Sequence, residues 1–246
     1  MRALAVGLAI AAAAGSAPSQ GWRPDVDDAV SYAQHRHGEI AFAVRTPTGA
    51  WGWHQSEIFP SASVLKAMLL VAYLDLPSVQ RRSLRPNDRA LLAPMIQRSD
   101  NAAAGRVLGI VGPRGLRALA RRAGMRRFTP VTGIWGLSRI DAADQARYFL
   151  HVDELVALRH RAYAMHLLNT ITPAQRWGIA RVQPSGWRLY FKGGWGSGTG
   201  SVDHQVALLT RGDERVSVAI LTHLDGSHPY GKETLRGVAL RLLDGL

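Results

Sequence analysis

The stretch that decides the fold is FPSASVLKAMLLVAYL, residues 59–74. Residues 65–74 are strongly apolar on all sides, which predicts a buried helix. Ser63 stands just before this helix, and Lys66 lies one turn further on, facing the serine. A serine hydroxyl is a weak nucleophile until a base takes its proton, and burial in an apolar run lowers the pKa of a lysine toward that of a useful base. The pair is a candidate nucleophile and base, although a capping serine with a snorkelling lysine gives the same pattern.

Two further polar motifs follow this stretch along the chain. Ser99-Asp100-Asn101 precedes a predicted helix, where these residue types are also ordinary N-cap residues. Lys192-Gly193-Gly194 ends a predicted strand and opens a glycine-rich segment, 193–200, which predicts a turn beside a cleft. That segment is not a phosphate-binding loop, because no Lys-Ser/Thr follows its glycines.

Hydrophobic periodicity divides the chain into strand-rich ends and a helical middle. In strand 39–45 the large apolar side chains share one face and two alanines share the other. The pattern predicts an α+β fold, in which both ends of the chain form an antiparallel sheet covered by helices, with an all-helical lobe inserted between them. The predicted helices are 25–37, 65–74, 89–97, 101–110, 112–123, 141–149, 155–169 and 229–243, and the predicted strands are 39–45, 50–54, 188–192, 201–210 and 215–223.

Taken together, the three motifs resemble the Ser-x-x-Lys, Ser-Asp-Asn and Lys-Thr-Gly elements of class A β-lactamases and penicillin-binding proteins. The resemblance covers nearly the whole chain, from residue 25 to residue 243. It implies a β-lactamase/transpeptidase-like fold with a single catalytic domain over 18–246, made of an α/β lobe and a helical lobe. The expected lobe boundaries are 25–62 and 180–246 for the α/β lobe and 63–179 for the helical lobe. Further matches are Trp51-Gly52-Trp53 in the hairpin, Phe59-Pro60 before Ser63, Ala102-Ala103 after Asn101, and 142–146.

The resemblance implies a role for each matching side chain. Ser63 would attack an acyl carbonyl, Lys66 would help to deprotonate it, and Ser99 would relay a proton to the leaving nitrogen. Asn101 would bind the amide of the substrate's side chain. Lys192 would supply positive potential near Ser99 and the substrate carboxylate.

The backbone N–H groups of Ser63 and Trp195 would form the oxyanion hole. Trp195 is assigned because it directly follows Gly194, which matches the family's glycine. A small residue is expected beside that N–H, since a strand edge must lie against the substrate. No metal or cofactor is expected.

One departure from the family concerns substrate recognition. Gly193 replaces the usual Thr or Ser, whose hydroxyl would bind the substrate carboxylate. Recognition of that carboxylate is therefore weakened or changed, and Ser197, Thr199 or His204 remain as alternatives that could compensate. Gln175-Arg176-Trp177 precedes the Lys192 strand and either lies at the rim of the cleft or forms a packed loop, and the packed loop is favoured.

Two departures concern the shape and chemistry of the cleft. Residues 129–140 contain no carboxylate, whereas class A β-lactamases carry there a glutamate that activates the deacylating water. Its absence argues against fast β-lactam turnover. The stretch from Lys66 to Ser99 is also shorter than in typical class A enzymes, which predicts a more open cleft suited to a polymer or peptide.

The resemblance implies a serine hydrolase that acts on β-lactams or related amides through an acyl-serine at Ser63. The missing glutamate and open cleft favour an alternative, a D-alanyl-D-alanine carboxypeptidase or another cell-wall peptide hydrolase. A third alternative is a penicillin-binding or sensor protein that does not turn over. The expected substrate is accordingly a small-molecule β-lactam or a cell-wall peptide.

The N-terminus has the pattern of a secretory signal peptide over 1–17. Arg2 precedes a small-apolar run, 3–14, and Gly15-Ser16-Ala17 provides a small-x-small cleavage step. The run is too short to span a bilayer. We therefore expect a secreted or periplasmic protein without stable membrane insertion.

Composition limits the partners of the chain. There is no cysteine, hence no disulfide or thiolate metal site. The formal net charge is +12, from 30 basic and 18 acidic residues. Two explanations of this charge remain: a solvated basic surface with no specific partner, or a surface that binds anionic polymers of the cell envelope. No nucleic-acid partner is expected, because no nucleic-acid-binding motif is found, and the protein is expected to be a monomer.

Overall fold

The computed structural model describes residues 21–246, so the predicted signal peptide, 1–17, lies outside the described residues. Over 21–246, no helix is both long and apolar enough to cross a membrane. The helices are α1 (Val26–Gln34), α2 (Leu65–Leu74), α3 (Pro77–Gln80), α4 (Pro86–Gln97), α5 (Asn101–Arg122), α6 (Ala142–Leu150), α7 (Leu158–Asn169) and α8 (His228–Leu242). The strands are β1 (Glu39–Arg45), β2 (Ala50–Trp53), β3 (Phe59–Pro60), β4 (Arg139–Ile140), β5 (Arg188–Gly196), β6 (Val202–Arg211) and β7 (Glu214–His223).

A five-stranded antiparallel sheet with the order β2-β1-β7-β6-β5 joins the two ends of the chain. β1 pairs with β7 along its whole length, from Glu39 opposite His223 to Arg45 opposite Ser217. Alternation along β1 divides its side chains between two apolar clusters, as the sequence predicts. Ile40, Phe42 and Val44 pack in the cluster that includes α1 and α8, and Ala41 and Ala43 pack on the other face. The predicted fold class is confirmed.

Helix α2 is the centre of the helical part of the molecule. All of its residues are buried, as predicted, and it packs against α4, α5 and α7. Helix α6 begins at Asp141, whose side chain caps it by accepting a hydrogen bond from the backbone N–H of Asp144 at 2.7 Å. Although the expected boundaries assign α6 to the helical lobe, it packs against β1 and β7 of the sheet.

Strand β5 differs from the sequence prediction, which ended it at Lys192. It continues through Gly196, because Gly193 to Gly196 pair with residues 205 to 202 of β6. Glycines are tolerated inside a strand where another piece of backbone approaches closely. The turn is consequently confined to the residues between β5 and β6, and the glycines of β5 lie beside the candidate site.

Candidate active site

Ser63 is positioned by a short, strained connection between β3 and α2. It lies in a single turn of 3₁₀-helix, Ala62–Val64. The preceding Ala62 has φ +40°, a left-handed conformation that is uncommon for a residue with a side chain. The backbone N–H of Ser61 donates to Ser138 O at 2.7 Å, which fixes this connection from outside. Such strain is typical of functional sites held by their surroundings.

Lys66 is fully buried one turn into the same segment. Its Nζ donates to Ser99 O at 2.5 Å, to Ser99 Oγ at 3.0 Å and to Asn101 Oδ1 at 2.7 Å. The same atom lies 4.9 Å from the centre of the Trp135 ring. Burial lowers the pKa of Lys66 to about 7, against the opposing charge of Asp100. Near neutral pH a substantial fraction of this amine is uncharged and able to accept a proton.

Ser99 lies just before α5, with φ +58°. Asp100 caps α5 by accepting a hydrogen bond from the N–H of Ala103 at 2.7 Å. The hydroxyl of Ser99 is 3.0 Å from Lys66 Nζ and 3.1 Å from Lys192 Nζ. It therefore links the two lysines, which are far apart in sequence.

Lys192 comes from β5 and is also fully buried. Besides its contact with Ser99, its Nζ donates to Gly193 O at 2.7 Å. Burial, together with the neighbouring charge of Lys66, holds the pKa of Lys192 well below its usual value. Lys192 thus reaches Ser99 as expected, but its environment weakens the positive potential that the resemblance assigns to it.

Gly194 brings β5 against the start of α2. A Cβ at this position would lie 2.8 Å from both Ser63 N and Val64 N, closer than van der Waals contact allows. The requirement for glycine therefore comes from the packing of strand against helix, whereas the sequence suggested contact with substrate. Trp195 follows with 38% of its surface exposed, on the strand at the edge of the sheet.

A cleft of about 400 Å³ opens over Ser63. Of the predicted site residues, Ser63, Asn101 and Trp195 line it directly, whereas the two lysines lie beneath its surface. Sequence analysis did not select residues 133–136, which form one wall of the cleft. The available signal was an aromatic residue between glycines in an irregular segment. The full lining is Ala62, Ser63, Asn101, Gly133, Ile134, Trp135, Gly136, Trp195, Gly196, Gly198 and Thr199.

The structure distinguishes among the residues considered as replacements for a hydroxyl at Gly193. His204 is fully buried, with Nε2 donating to Pro60 O at 2.8 Å and Nδ1 accepting from Thr222 N at 3.1 Å. Burial lowers its pKa to about 4, and it does not face the cleft. Thr199 lines the cleft, and Ser197 lines the neighbouring pocket.

The rings of Trp177 and His228 pack against that of Trp195, beside Gly193. The ring of His228 stacks on that of Trp195 at 5.3 Å, and Trp177 meets both edge-on, at 5.4 and 6.1 Å. His228 Nδ1 is 2.6 Å from Asp203 Oδ1 in the neighbouring pocket. Trp177, which the sequence placed either at the rim or in a packed loop, is 7% exposed and packs against β5.

Comparison with protein families gives one match. The model of the Beta-lactamase enzyme family matches residues 77–246. The matched region contains Ser99, Asn101 and Lys192 but begins after Ser63 and Lys66. A search of curated proteins gave no match.

Solved structures share the fold at low sequence identity. A β-lactamase from Sphaerobacter thermophilus superposes with a TM-score of 0.76 at 18% identity, covering 87% of this chain and 94% of that one. An ancestral class A β-lactamase gives 0.75 at 15% identity, covering 89% and 99%. A β-lactamase from Xanthomonas campestris gives 0.75 at 14% identity, covering 87% and 94%.

Proposed function

The chain belongs to the β-lactamase enzyme family, and from this premise we propose that it is a serine hydrolase that forms an acyl-enzyme at Ser63 with β-lactams or related amides. One observation carries the proposal. The hydroxyl of Ser99 lies within hydrogen-bonding distance of both Lys66 and Lys192, directly beneath a cleft lined by Ser63. This arrangement supplies a nucleophile, a base with lowered pKa and a route for a proton.

In the proposed acylation, Lys66 in its neutral form accepts the proton of Ser63 as the Oγ–C bond forms. The tetrahedral oxygen is held by the backbone N–H groups of Ser63 and Trp195. The C–N bond then breaks, and Ser99 passes its hydroxyl proton to the leaving nitrogen. Lys66 returns to Ser99 the proton that it accepted from Ser63. The 3.0 Å distance between Lys66 Nζ and Ser99 Oγ supports this transfer.

Among the described residues, no hydrogen bond joins Lys66 Nζ to Ser63 Oγ. Lys66 donates instead to Ser99 and Asn101. Catalytic hydrogen bonds often become short only in the complex with substrate. A small shift of the lysine amine toward Ser63 would therefore accompany substrate binding.

The second candidate, a cell-wall peptidase or a non-turnover penicillin-binding protein, is favoured by a different observation. The described residues that line the cleft include no carboxylate, and residues 129–140 contain none. A base for the deacylating water is therefore missing from the position where the family's glutamate lies. We expect acylation to be faster than hydrolysis of the acyl-enzyme.

Intact-mass analysis over time with benzylpenicillin, together with product release, tests these proposals. An adduct on the parent that is absent from Ser63→Ala, and present on the surface control Ser83→Ala, supports acylation at Ser63. Disappearance of the adduct with many turnovers supports a β-lactamase, whereas a persistent adduct supports the second candidate. Labelling of Ser63→Ala would contradict the assignment of the nucleophile.

We further propose that the chain is exported and cleaved after Ala17, as the pattern of residues 1–17 predicts. N-terminal sequencing of the protein recovered outside the cytoplasm tests this. A mature chain that begins at Pro18 supports cleavage at that site, and an intact Met1 would contradict it.

A further inference from the structure

Resting on the proposed acylation of Ser63, we infer that the cleft selects substrates whose leaving group carries no carboxylate: neutral amides, esters or lactams with an apolar group beside the reacting bond. Gly193 supplies no hydroxyl for such a carboxylate, and Trp177 occupies the space that a hydroxyl-bearing side chain at position 193 would need. Three features of the described residues support this inference: the lining of the cleft, the contacts of the two lysines, and the packing behind β5.

The cleft is uncharged although the protein is strongly basic. The chain carries a formal net charge of +12, yet the described residues that line the cleft include no arginine, lysine or histidine. A substrate carboxylate placed here would lose water and gain no cation in return, which is strongly unfavourable. Charge complementarity therefore favours a neutral ligand.

The two lysines nearest to the cleft are turned toward the protein. Lys66 Nζ makes three contacts, with Ser99 O, Ser99 Oγ and Asn101 Oδ1. Lys192 Nζ donates to Ser99 Oγ and Gly193 O. Both amines are fully buried, so neither presents an exposed cation to a carboxylate.

Trp177 fills the space that a side chain at position 193 would need. A Cβ on Gly193 would lie 3.0 Å from Cζ2 and 3.1 Å from Cη2 of the Trp177 indole. The backbone of Trp177 is held in place, since its carbonyl accepts from Gln205 Nε2 at 2.7 Å and the same amide side chain accepts from Ile179 N at 2.6 Å. A hydroxyl-bearing residue at 193 therefore requires displacement of the indole ring.

The walls of the cleft offer apolar surface instead. Trp195 is 38% exposed and Ile134 is 64% exposed, and both line the cleft. His228 lies behind Trp195 and is paired with Asp203, so it belongs to the neighbouring pocket and supplies no cation here. A planar or apolar leaving group fits between these side chains.

The test compares benzylpenicillin with its methyl ester, in which a methyl group caps the carboxylate and removes its charge. We expect the parent to be acylated by the ester at least about tenfold faster than by the acid, because the carboxylate of the acid loses water and gains no cation, whereas the ester carries no charge to desolvate. Gly193→Thr combined with Trp177→Ala restores both a hydroxyl and the space for it. This double variant should shift the acid-to-ester ratio of acylation rates toward the acid by about tenfold or more.

Trp177→Ala alone is the matched control, since it opens the space without adding a hydroxyl, and its ratio should stay within about threefold of the parent. Faster acylation of the parent by the acid, or an unchanged ratio in the double variant, would overturn the inference. Native circular dichroism of both variants shows whether the fold is retained.

A second measurement separates this inference from the proposed function. Calorimetry measures the equilibrium binding of the acid and the ester to Ser63→Ala, a variant in which no acylation occurs. Preferential binding of the ester supports the inference even when the parent forms no adduct. Preference for the acid, or binding of neither compound, would overturn it.

Discussion

The amine of Lys66 is the residue-scale feature that governs the expected pH dependence. Burial lowers its pKa from 10.5 to about 7, so the uncharged base gains population as the pH rises through that value. We expect the second-order rate constant of acylation to rise with pH and to level off above about 8. Stopped-flow acylation between pH 5.5 and 9 measures this.

Lys66→Arg keeps the charge and removes the base, because a guanidinium is not deprotonated in proteins. Its acylation rate should be independent of pH and about 10²–10⁴ below the plateau that the parent reaches above about pH 8. The control variant Lys232→Arg, on α8, should behave as the parent does. A flat parent profile, or a Lys66→Arg rate close to that of the parent, would rule out Lys66 as the base.

Gly194→Ala gives a second prediction at this scale. The added Cβ would be 2.8 Å from the backbone nitrogens of Ser63 and Val64, so β5 and the start of α2 must separate. We expect acylation to slow by about 10²–10³, the effect of losing one oxyanion-hole donor. Gly105→Ala, on α5 with open space around it, is the control. Acylation at the parent rate in Gly194→Ala would contradict the proposed oxyanion hole.

The polar residues of the candidate site were selected from the resemblance of three motifs, in their order, to those of class A β-lactamases. Spacing alone supports only the first motif, because Ser-x-x-Lys on a helix places its two side chains on one face. The structure brings Lys66, Ser99 and Lys192 into contact, while their catalytic roles stay predictions. Trp135 and Trp177 could not be selected in this way. Their positions depend on how irregular segments pack against the cleft, and no local periodicity encodes that packing.

At the scale of elements, β5 shows where local reasoning was wrong. Consecutive glycines are strong turn signals, and on that basis the strand was expected to end at Lys192. Pairing with β6 extends it to Gly196, since hydrogen bonding to a neighbouring strand overrides this local signal. β1 and α2, by contrast, were predicted with their observed bounds because their apolar patterns are unbroken.

Helix α5 offers a prediction about stability. Two helices were expected over 101–123, and α5 is divided accordingly at Gly112, whose φ of +66° and ψ of 171° are not helical and which Pro113 follows. Gly112→Ala should destabilise the protein by about 1–3 kcal/mol, because this backbone conformation is adopted almost only by glycine. Gly109→Ala, in the same helix with open space around it, should stabilise by about 0.5–1 kcal/mol. Urea unfolding measures both, and equal effects would contradict the argument.

At the scale of the whole molecule, the antiparallel sheet was predictable because the strand patterns lie at the two ends of the chain. The packing of α6 against β1 and β7 was not. Its amphipathic pattern shows that one face is buried but not which neighbour covers it. The division into lobes therefore stays a prediction.

The buried carboxyl group of Asp203 links global stability to pH. Burial and the neighbouring Asp225 raise the pKa of Asp203 to about 8. In the folded state this group therefore keeps a proton that it loses in the unfolded chain, and its contribution to stability decreases as the pH rises from about 4 to about 8. Between pH 5 and pH 8, the change in the free energy of unfolding measured with urea should be about 2 kcal/mol more favourable in Asp203→Asn than in the parent. The exposed control Asp27→Asn should keep the parent's slope, and an identical slope in Asp203→Asn would contradict the assignment.

The pairing of β1 with β7 has a consequence for biosynthesis. During translation, Ser63 and Lys66 are synthesised long before β5 and β7. Contacts between such distant segments form late and slowly, because a long loop must close first. The growing polypeptide therefore contains its candidate nucleophile before the strand that completes the cleft. We expect the fragments produced by premature termination to be inactive in acylation.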